Sequence, residues 1–357
     1  MREVEFLVLG QGVVGSLLAR QLAARGRSFA VADRGHATAS SYAAAGLVNP
    51  VTGRRFVRTW LAERLTAALD VYAEVLPAGA PPIVQPLTIL RDLSATASRN
   101  TWALKRGDEG LANYLGPAVT ASQAHSQFTI PGDVRVPAWV GPTVGGYRVD
   151  LRRLLMQTRA WLRDGGRLIE DEVLVDRWLD STGAFALHGL SAKHVIDASG
   201  AAAMHTRAWS ALPWRGTLGE AWRFAAPSFP REVALKRRHF VSPVGDAGDV
   251  WIGGTNADGH AAPTRTPEGQ AALLEAAHRF AVRPMGQPER LAAIRPTVRD
   301  RRPLLGRHPA RAGLWLCNGM GTKGASLAPY FTRQLLAHVL EGEVLSPEVD
   351  IARRFTG

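Results

Sequence analysis

The stretch Val4-Glu5-Phe6-Leu7-Val8-Leu9-Gly10-Gln11-Gly12-Val13-Val14-Gly15 decides the fold. The apolar run 4–9 reads as a buried strand and passes directly into three spaced glycines that open a helix over 13–25. Gly10 permits the tight turn, Gly12 lets the backbone approach a diphosphate, and Gly15 lets the helix pack closely on the strand. An anion held there meets the positive end of the helix. Glycine spacing alone is weak evidence, but here the context is complete. The helix is amphipathic through Val14, Leu17, Leu18, Gln21 and Leu22, and a second strand over 29–32 ends on Asp33. That acid lies about 20 residues beyond the glycines, where a carboxylate for ribose hydroxyls is expected. The unit reads as a βαβ cradle for an adenine dinucleotide, with Gln11, Val13 and Val14 inside it.

At 357 residues the chain can bury a large core in two or three lobes. The first apolar run is too short for a secretion signal, and no stretch reaches the length of a membrane helix. A soluble, cytoplasmic protein is expected. The single cysteine, Cys317, excludes an internal disulfide and a cysteine zinc cluster. Within Leu314-Trp315-Leu316-Cys317 it reads as strand filler rather than a reactive thiol. The formal net charge is +12, and of 43 basic residues only Lys105, Lys193, Lys236 and Lys323 are lysines. The arginines are scattered apart from 54–58 and 299–302. They read as a solvated basic surface, with attraction for anionic substrates or RNA as the functional alternatives. No metal site is expected, because histidines and acids do not stand at ligand spacing, and no serine occupies a nucleophile elbow.

Residues 59–76 read as a helix, and 77–144, with Trp102 and Trp139, as an antiparallel lobe. Asp150 is placed to cap a helix over 151–163 that Gly165 and Gly166 terminate. A strand over 167–173 is expected next, then a hairpin of 175–179 and 184–187 around Ser181-Thr182-Gly183. An apolar strand ending in Asp197-Ala198-Ser199-Gly200 follows. Residues 212–286 hold strand-like runs, such as 250–255, and one helix over 267–282. The chain closes with an apolar strand, the turn Gly319-Met320-Gly321-Thr322-Lys323-Gly324, and a helix from about Ala328 to Leu340. The fold class is therefore α/β. A Rossmann-like dinucleotide domain is drawn from 1–75, 145–210 and 287–357, with an inserted antiparallel α+β substrate domain from 76–144 and 211–286.

Two later elements point to FAD rather than NAD. Ala198, Ser199 and Gly200 put small residues beside the first glycine loop, where a bulky side chain would collide with a dinucleotide. The turn 319–324 opens another helix, whose free N–H groups form a second anion-stabilising site. A reduced flavin develops negative charge at N1 and the C2 carbonyl, whereas a reduced nicotinamide does not. A helix N-terminus bearing Lys323 suits that anion.

Taken in order, several motifs resemble the FAD-dependent oxidoreductases of the D-amino-acid oxidase and glycine oxidase type, which include sarcosine oxidases. They are the first glycine motif, Ser41-Tyr42-Ala43-Ala44-Ala45-Gly46-Leu47-Val48-Asn49-Pro50, and residues 195–200. Arg295-Pro296-Thr297-Val298-Arg299-Asp300-Arg301-Arg302-Pro303-Leu304-Leu305-Gly306 and the terminal turn leading to Ala328-Pro329-Tyr330 complete the set. The likeness spans nearly the whole chain. It implies that Gly10, Gly12, Gly15, Asp33 and Arg34 hold the AMP half of FAD and that Ser41 bonds the pyrophosphate. Ala45, Gly46 and Leu47 would pass close to the flavin ring, and Val173 would meet the adenine through its backbone. Ser199 and Gly200 would line the cradle, and Met320, Gly321, Thr322, Lys323 and Gly324 would contact the pyrimidine end. Arg295 would grip a substrate carboxylate with its planar fork; the alternative is a salt bridge supporting the loop around Asp300. Lys323 is either a stabiliser of the flavin anion or a surface lysine at a helix start.

The activity so implied is oxidation of a C–N bond in an amino acid or related small amine, by hydride transfer to flavin N5. The substrate C–H would be held within about 3–3.5 Å of that atom, and a neutral amine needs no side-chain base. The electron acceptor and the oligomeric state are open. Tyr147, His239, Arg54 and Arg55 are further residues that could face the cavity, with core or surface roles as the default. Two other readings stand beside this one. The Arg-Pro segment and terminal turn are also similar to the oxidase domain that remodels the carboxymethylaminomethyl group of tRNA wobble uridine, although the methyltransferase half is absent from this sequence. A flavin-holding carrier without catalysis is the third.

Overall fold

The computed structural model describes residues 2–354 except 78, 172, 173, 179–184 and 188, so the expected contacts of Val173 and the turn at 181–183 lie outside the described residues. Strand Arg2–Leu9 lies inside a seven-stranded sheet. Phe6 and Val8 enter one hydrophobic layer while Leu7 and Leu9 enter the other, and all four are fully buried. Burial on both faces is the condition of a parallel strand between two layers. Its neighbours Phe29–Ala32 and Leu190–Asp197 accordingly run parallel to it, and Leu168–Ile169 and Leu314–Asn318 extend the array. Phe185–Leu187 and Leu304–Arg307 are antiparallel additions. Helices Val13–Ala24, Leu151–Asp164 and Gly324–Glu341 supply one layer; Trp178, Trp209 and Val298 belong to the other.

A ten-stranded sheet forms the second half of the molecule. Its pairings are antiparallel except for Val233–Lys236 beside Val84–Asp92. The outer face, including Leu90, Leu235, Val241 and Ile252, packs under helix Pro267–Phe280. On the inner face Leu87, Ile89, Ala234 and Phe240 meet Leu47. The sheet includes Leu47–Val48 at one end and Met285–Arg295 beside Thr217–Ala225. Nucleotide-fold segments and inserted segments are thus stitched into one sheet. Among the described residues, no helix is long and apolar enough to cross a membrane.

Several local expectations are met. Asp150 caps helix Leu151–Asp164 by accepting from the Arg153 N–H at 3.1 Å, and Cys317 is buried in its strand. Others are corrected. Residues 59–76 form two short helices, Ala62–Ala67 and Val71–Glu74, separated by a tight turn at Ala68–Asp70. The strand expected over 167–173 is confined among described residues to Leu168–Ile169. In place of a strand over 175–179 there is a single 3-10 turn, Val175–Arg177. Positions three apart in such a turn share a side, which buries Val175 and Trp178 together in the core. Strand Phe185–Leu187 pairs instead with Leu190–Asp197.

The terminal helix begins at Gly324 rather than near Ala328. Pro329 has no N–H to offer the Ala325 carbonyl four residues back. The Tyr72 hydroxyl donates to that oxygen at 2.8 Å, so the helix runs through the proline without an orphaned acceptor. Tyr72 is fully buried, and burial holds its phenol pKa far above the ordinary value, so the donor proton is kept. The Tyr72→Phe variant leaves an unpaired carbonyl in the core. It should lower stability by about 1–3 kcal/mol, read as a lower thermal unfolding midpoint; an unchanged midpoint would show the bond to be idle.

Candidate active site

The first glycine loop is shaped by what a side chain would hit. Gly10 has φ +90°, and a Cβ there would lie 2.6 Å from the Ser199 Cα and 2.8 Å from the Ala198 oxygen. A Cβ on Gly15 would overlap the Gly10 carbonyl. The small residues 198–200 therefore touch the loop directly. They are locked from below by Asp197, whose Oδ1 accepts from the Ser199 N–H at 3.0 Å and its Oγ at 2.6 Å. Trp209 Nε1 donates to the other Asp197 oxygen at 2.8 Å. Burial raises the Asp197 carboxyl above its usual range, and these donated bonds oppose that shift.

Two helix N-termini converge at this point. An added Cβ on Gly324 would lie 3.5 Å from Val13 Cγ1, so helices Val13–Ala24 and Gly324–Glu341 bring their unpaired N–H groups to one place. Ser41 Oγ accepts from the Val13 N–H at 3.1 Å and lies beside Gly12. Asn318 ties the loops together: its Nδ2 donates to the Gly200 carbonyl at 3.0 Å, and its Oδ1 accepts from the Gly319 N–H at 2.8 Å. A crowded glycine loop with small residues at its back and a helix N-terminus fits a dinucleotide diphosphate, and the start of helix Gly324–Glu341 adds a second positive end beside it.

At the far end of this groove, Asp33 accepts from the Gln11 N–H at 2.8 Å and the Gly35 N–H at 2.7 Å. It is also paired with Arg159 at 2.6 Å. The Gln11 side chain is fully buried and acts as a bolt between Ser16, the Leu155 carbonyl and His36. Burial lowers the His36 pKa, partly opposed by Asp33. Arg34 is exposed beside this cluster. Val14 is buried in the helix.

Segment 44–47 crosses strand Trp139–Val149, where a Cβ on Gly46 would overlap the Val149 carbonyl. Ala45 is buried, and Leu47 reaches the inner face of the large sheet. The terminal turn packs on the Arg-Pro segment: the Gly321 N–H donates to the Pro296 carbonyl at 3.1 Å, and Gly321 lies against Thr297. Met320 is buried, Thr322 is exposed, and Lys323 is half-buried. Burial first, and then Arg302 and Arg301, lower the Lys323 pKa. The Arg302 guanidinium also lies 4.1 Å over the Trp60 ring, which stacks on Phe331.

Arg295 ends strand Met285–Arg295. One of its terminal nitrogens donates to the Thr255 carbonyl at 2.9 Å and to Asn256 Oδ1 at 3.0 Å. The other lies over Gly219 and Gly254, where any side chain would strike it. Among the described residues no carboxylate pairs with it. Asp300 is instead engaged by Arg353 and Arg354, so the alternative of an Arg295–Asp300 support is not what the structure holds. Burial lowers the Arg295 pKa to about 10, which leaves it charged at neutral pH. His239 is buried on the side of helix Pro267–Phe280, where Glu275 and Arg279 act on it. Tyr147 packs against the nucleotide-fold core, and Arg54 and Arg55 are exposed. Sequence reading missed Arg159, His36, Asn318, Trp60 and the glycines under Arg295, because none forms a local motif with its partner.

A family model described as FAD dependent oxidoreductase matches residues 5–337, and the chain belongs to that family. FAD is therefore its cofactor, and the chain is an FAD-dependent oxidoreductase. A glycine oxidase of Pseudomonas aeruginosa is 26% identical over 382 aligned residues, covering 97% of this chain and 96% of that protein. Among solved structures, an iminodiacetate oxidase from a Chelativorans species superposes with a TM-score of 0.76 at 23% identity, covering 98% of both chains. A glycine oxidase from Geobacillus kaustophilus gives 0.74 at 22% identity, covering 99% of this chain and 98% of that one. These superpositions establish the shared fold.

Gly15→Ala should break the contact between helix and loop. Purified variant protein is expected to carry little flavin absorbance per chain; full yellow occupancy would show that the crowding at Gly10 is not required.

Proposed function

We propose that this chain oxidises a C–N bond in a small amino acid or related amine, with Arg295 as the carboxylate anchor. The observation that carries this reading is a largely buried guanidinium that pairs with no carboxylate among the described residues, held by the Thr255 carbonyl and Asn256 Oδ1 on one side and packed over two glycines on the other. The relatives named for oxidation of glycine and iminodiacetate act on amines that bear carboxylates, and this supports the same class here. The reading at tRNA wobble uridine has no comparable support among them.

In this proposal Gly10, Gln11, Gly12, Val13, Val14, Gly15 and Ser41 hold the diphosphate, with Ala198, Ser199 and Gly200 closing the cradle. Asp33 and Arg34 hold the adenosine end. Ala45, Gly46 and Leu47 run beside the ring system, and residues 320–324 meet its pyrimidine edge. Residues 1–75, 145–210 and 287–357 form the cofactor-binding part, while 76–144 and 211–286 form the substrate part. When bound, FAD supplies the two-electron acceptor for the substrate C–H bond. Arg295 fixes the carboxylate and with it the direction of that bond. Its charge is already desolvated, so a carboxylate entering the site meets little competing water. Leu47 and Phe240 form an apolar wall that keeps water from the reacting carbon. Lys323 and the N–H groups of the terminal turn place positive charge at the pyrimidine edge, where the acceptor gains electrons. The cytoplasmic setting expected from cysteine usage is part of this proposal.

Arg295→Leu should retain FAD and raise KM for carboxylate-bearing amines by about 100-fold, the worth of a desolvated charge-assisted contact. Steady-state rates across a substrate panel measure it, and an unchanged KM removes the assignment. Lys323→Met should lower the flavin midpoint potential by about 30 mV or more, equivalent to a tenfold change in a two-electron equilibrium. Spectroelectrochemical titration reads that directly; an unmoved potential would make Lys323 a surface residue.

A further inference from the structure

The inner face of the large sheet carries, at both ends, cations that no carboxylate pairs with among the described residues. Residues directly opposite on neighbouring strands share a face. Arg91 pairs with Lys236, Lys236 with Phe240, Phe240 with Gly253, Gly253 with Ala221, and Ala221 with Leu291. One row of side chains therefore crosses six strands. Arg295 lies four residues along the strand from Leu291, on the same face by the two-residue period. Phe240 packs with Ile89, Ala234 and Leu47, which identifies this face as the one turned toward the flavin-side segment. The alternate residues point the other way: Asp92 and Arg237 form an ion pair at 2.9 Å, and Leu235 and Val241 pack under helix Pro267–Phe280.

Lys236 is one of only four lysines in the chain. Its Nζ lies 4.1 Å from the centroid of the Phe240 ring and donates to the Arg238 carbonyl at 2.8 Å. Arg91 is 6% exposed; its terminal nitrogens bind the carbonyls of Val51 and Gly53, and its Nε is buried without a partner. Burial and the neighbouring Arg91 bring the Lys236 pKa down to about 8. Among the described residues no carboxylate pairs with Lys236, Arg91 or Arg295. Arginines in the adjoining groove are matched, by contrast: Arg152 with Glu289 at 2.7 Å and Arg223 with Asp249 at 2.7 Å. Buried like charges without counter-ions are destabilising through desolvation and mutual repulsion. That cost is offset when anions enter.

We propose that Lys236, backed by the charge of Arg91, is a second anion-binding subsite of the Arg295 cavity, and that the substrate is an amine bearing two acids, an amino or imino dicarboxylate. The inference rests on the C–N oxidation reading and specifies its substrate. The Arg295 fork extends over Gly219 and Gly254, and the strand of Lys236 is two strand spacings from that of Gly254, about 10 Å. Phe240 and the Trp251 ring, which covers Gly253, lie between them as an apolar floor for the methylene groups that separate the two acids.

The test uses the FAD-loaded full chain. Binding is followed by the change in the flavin visible spectrum on titration with acetate and with linear diacids from malonate to adipate. Reduction is followed anaerobically with glycine, sarcosine, iminodiacetate, and both hands of aspartate and glutamate. At least one diacid should bind 10-fold or more tighter than acetate. Lys236→Met should weaken diacids 10- to 100-fold more than it weakens acetate, the span of one charge-assisted bond, and Lys236→Arg should restore most of the difference. Equal binding of acetate and every diacid by the unmodified chain overturns the subsite, as does an equal loss for both classes in Lys236→Met. If glycine-type amines bleach the flavin and the diacids hold no advantage, the subsite alone falls. If no amine bleaches it, the C–N reading falls, while the binding titration still decides the subsite.

Discussion

Two helix N-termini directed at one crowded glycine loop are the constraint on which the rest of the molecule depends. Their N-terminal turns concentrate positive potential where Gly324 meets Val13, next to the loop in which Gly10 meets Ser199. Such termini favour an anion beside them, and the FAD of this family carries a diphosphate. Asp197, Trp209 and Asn318 do not face that space, but they hold its back wall rigid. Asp197 fixes the Ser199 loop, and Asn318 spans from Gly200 to Gly319. Precision at the cradle is thus supplied by buried polar residues one layer behind it.

The second constraint is the sheet that closes over the ring-binding segment. Its two faces divide the work. The outer face is sealed by helix Pro267–Phe280 through aliphatic and aromatic packing, which makes the sheet a stiff plate. On the inner face, Gly219 and Gly254 make room for the Arg295 side chain, and Gly253 makes room for the Trp251 ring. Because Gly321 packs on Pro296 and Thr297, the Arg295 segment and the terminal glycine turn are fixed to each other by backbone contact. A shift of one moves the other.

Charge is distributed by the same logic. Many arginines at the surface and in the adjoining groove have acids beside them, as Arg152 and Arg223 do. Surface pairs of this kind contribute little to stability. Arg295, Lys323, Lys236 and Arg91 are different: all are at least partly desolvated, and each carries a lowered pKa through burial. Among the described residues these four cations have no carboxylate beside them, and the hydrogen bonds of Arg295, Lys236 and Arg91 go to carbonyl oxygens.

The amino-acid sequence by itself determined the nucleotide cradle, because its rules are local. A left-handed φ, a forbidden Cβ and an alternating apolar strand are all expressed within a few neighbouring residues. The Asp150 cap and the buried Cys317 were legible for the same reason. The helix expected over 59–76 is split by the turn at Ala68–Asp70, and the terminal helix starts at Gly324 rather than near Ala328 and carries Pro329 in its interior. Only the packed Tyr72 hydroxyl, more than 250 residues away in the chain, supplies the bond that lets the helix pass through it. The unpaired state of Arg295, the Arg159–Asp33 pair and the Lys236–Arg91 row were likewise decided by tertiary structure. Each depends on strand register and on which side chains fold back across the sheet, and spacing along the chain does not encode that geometry.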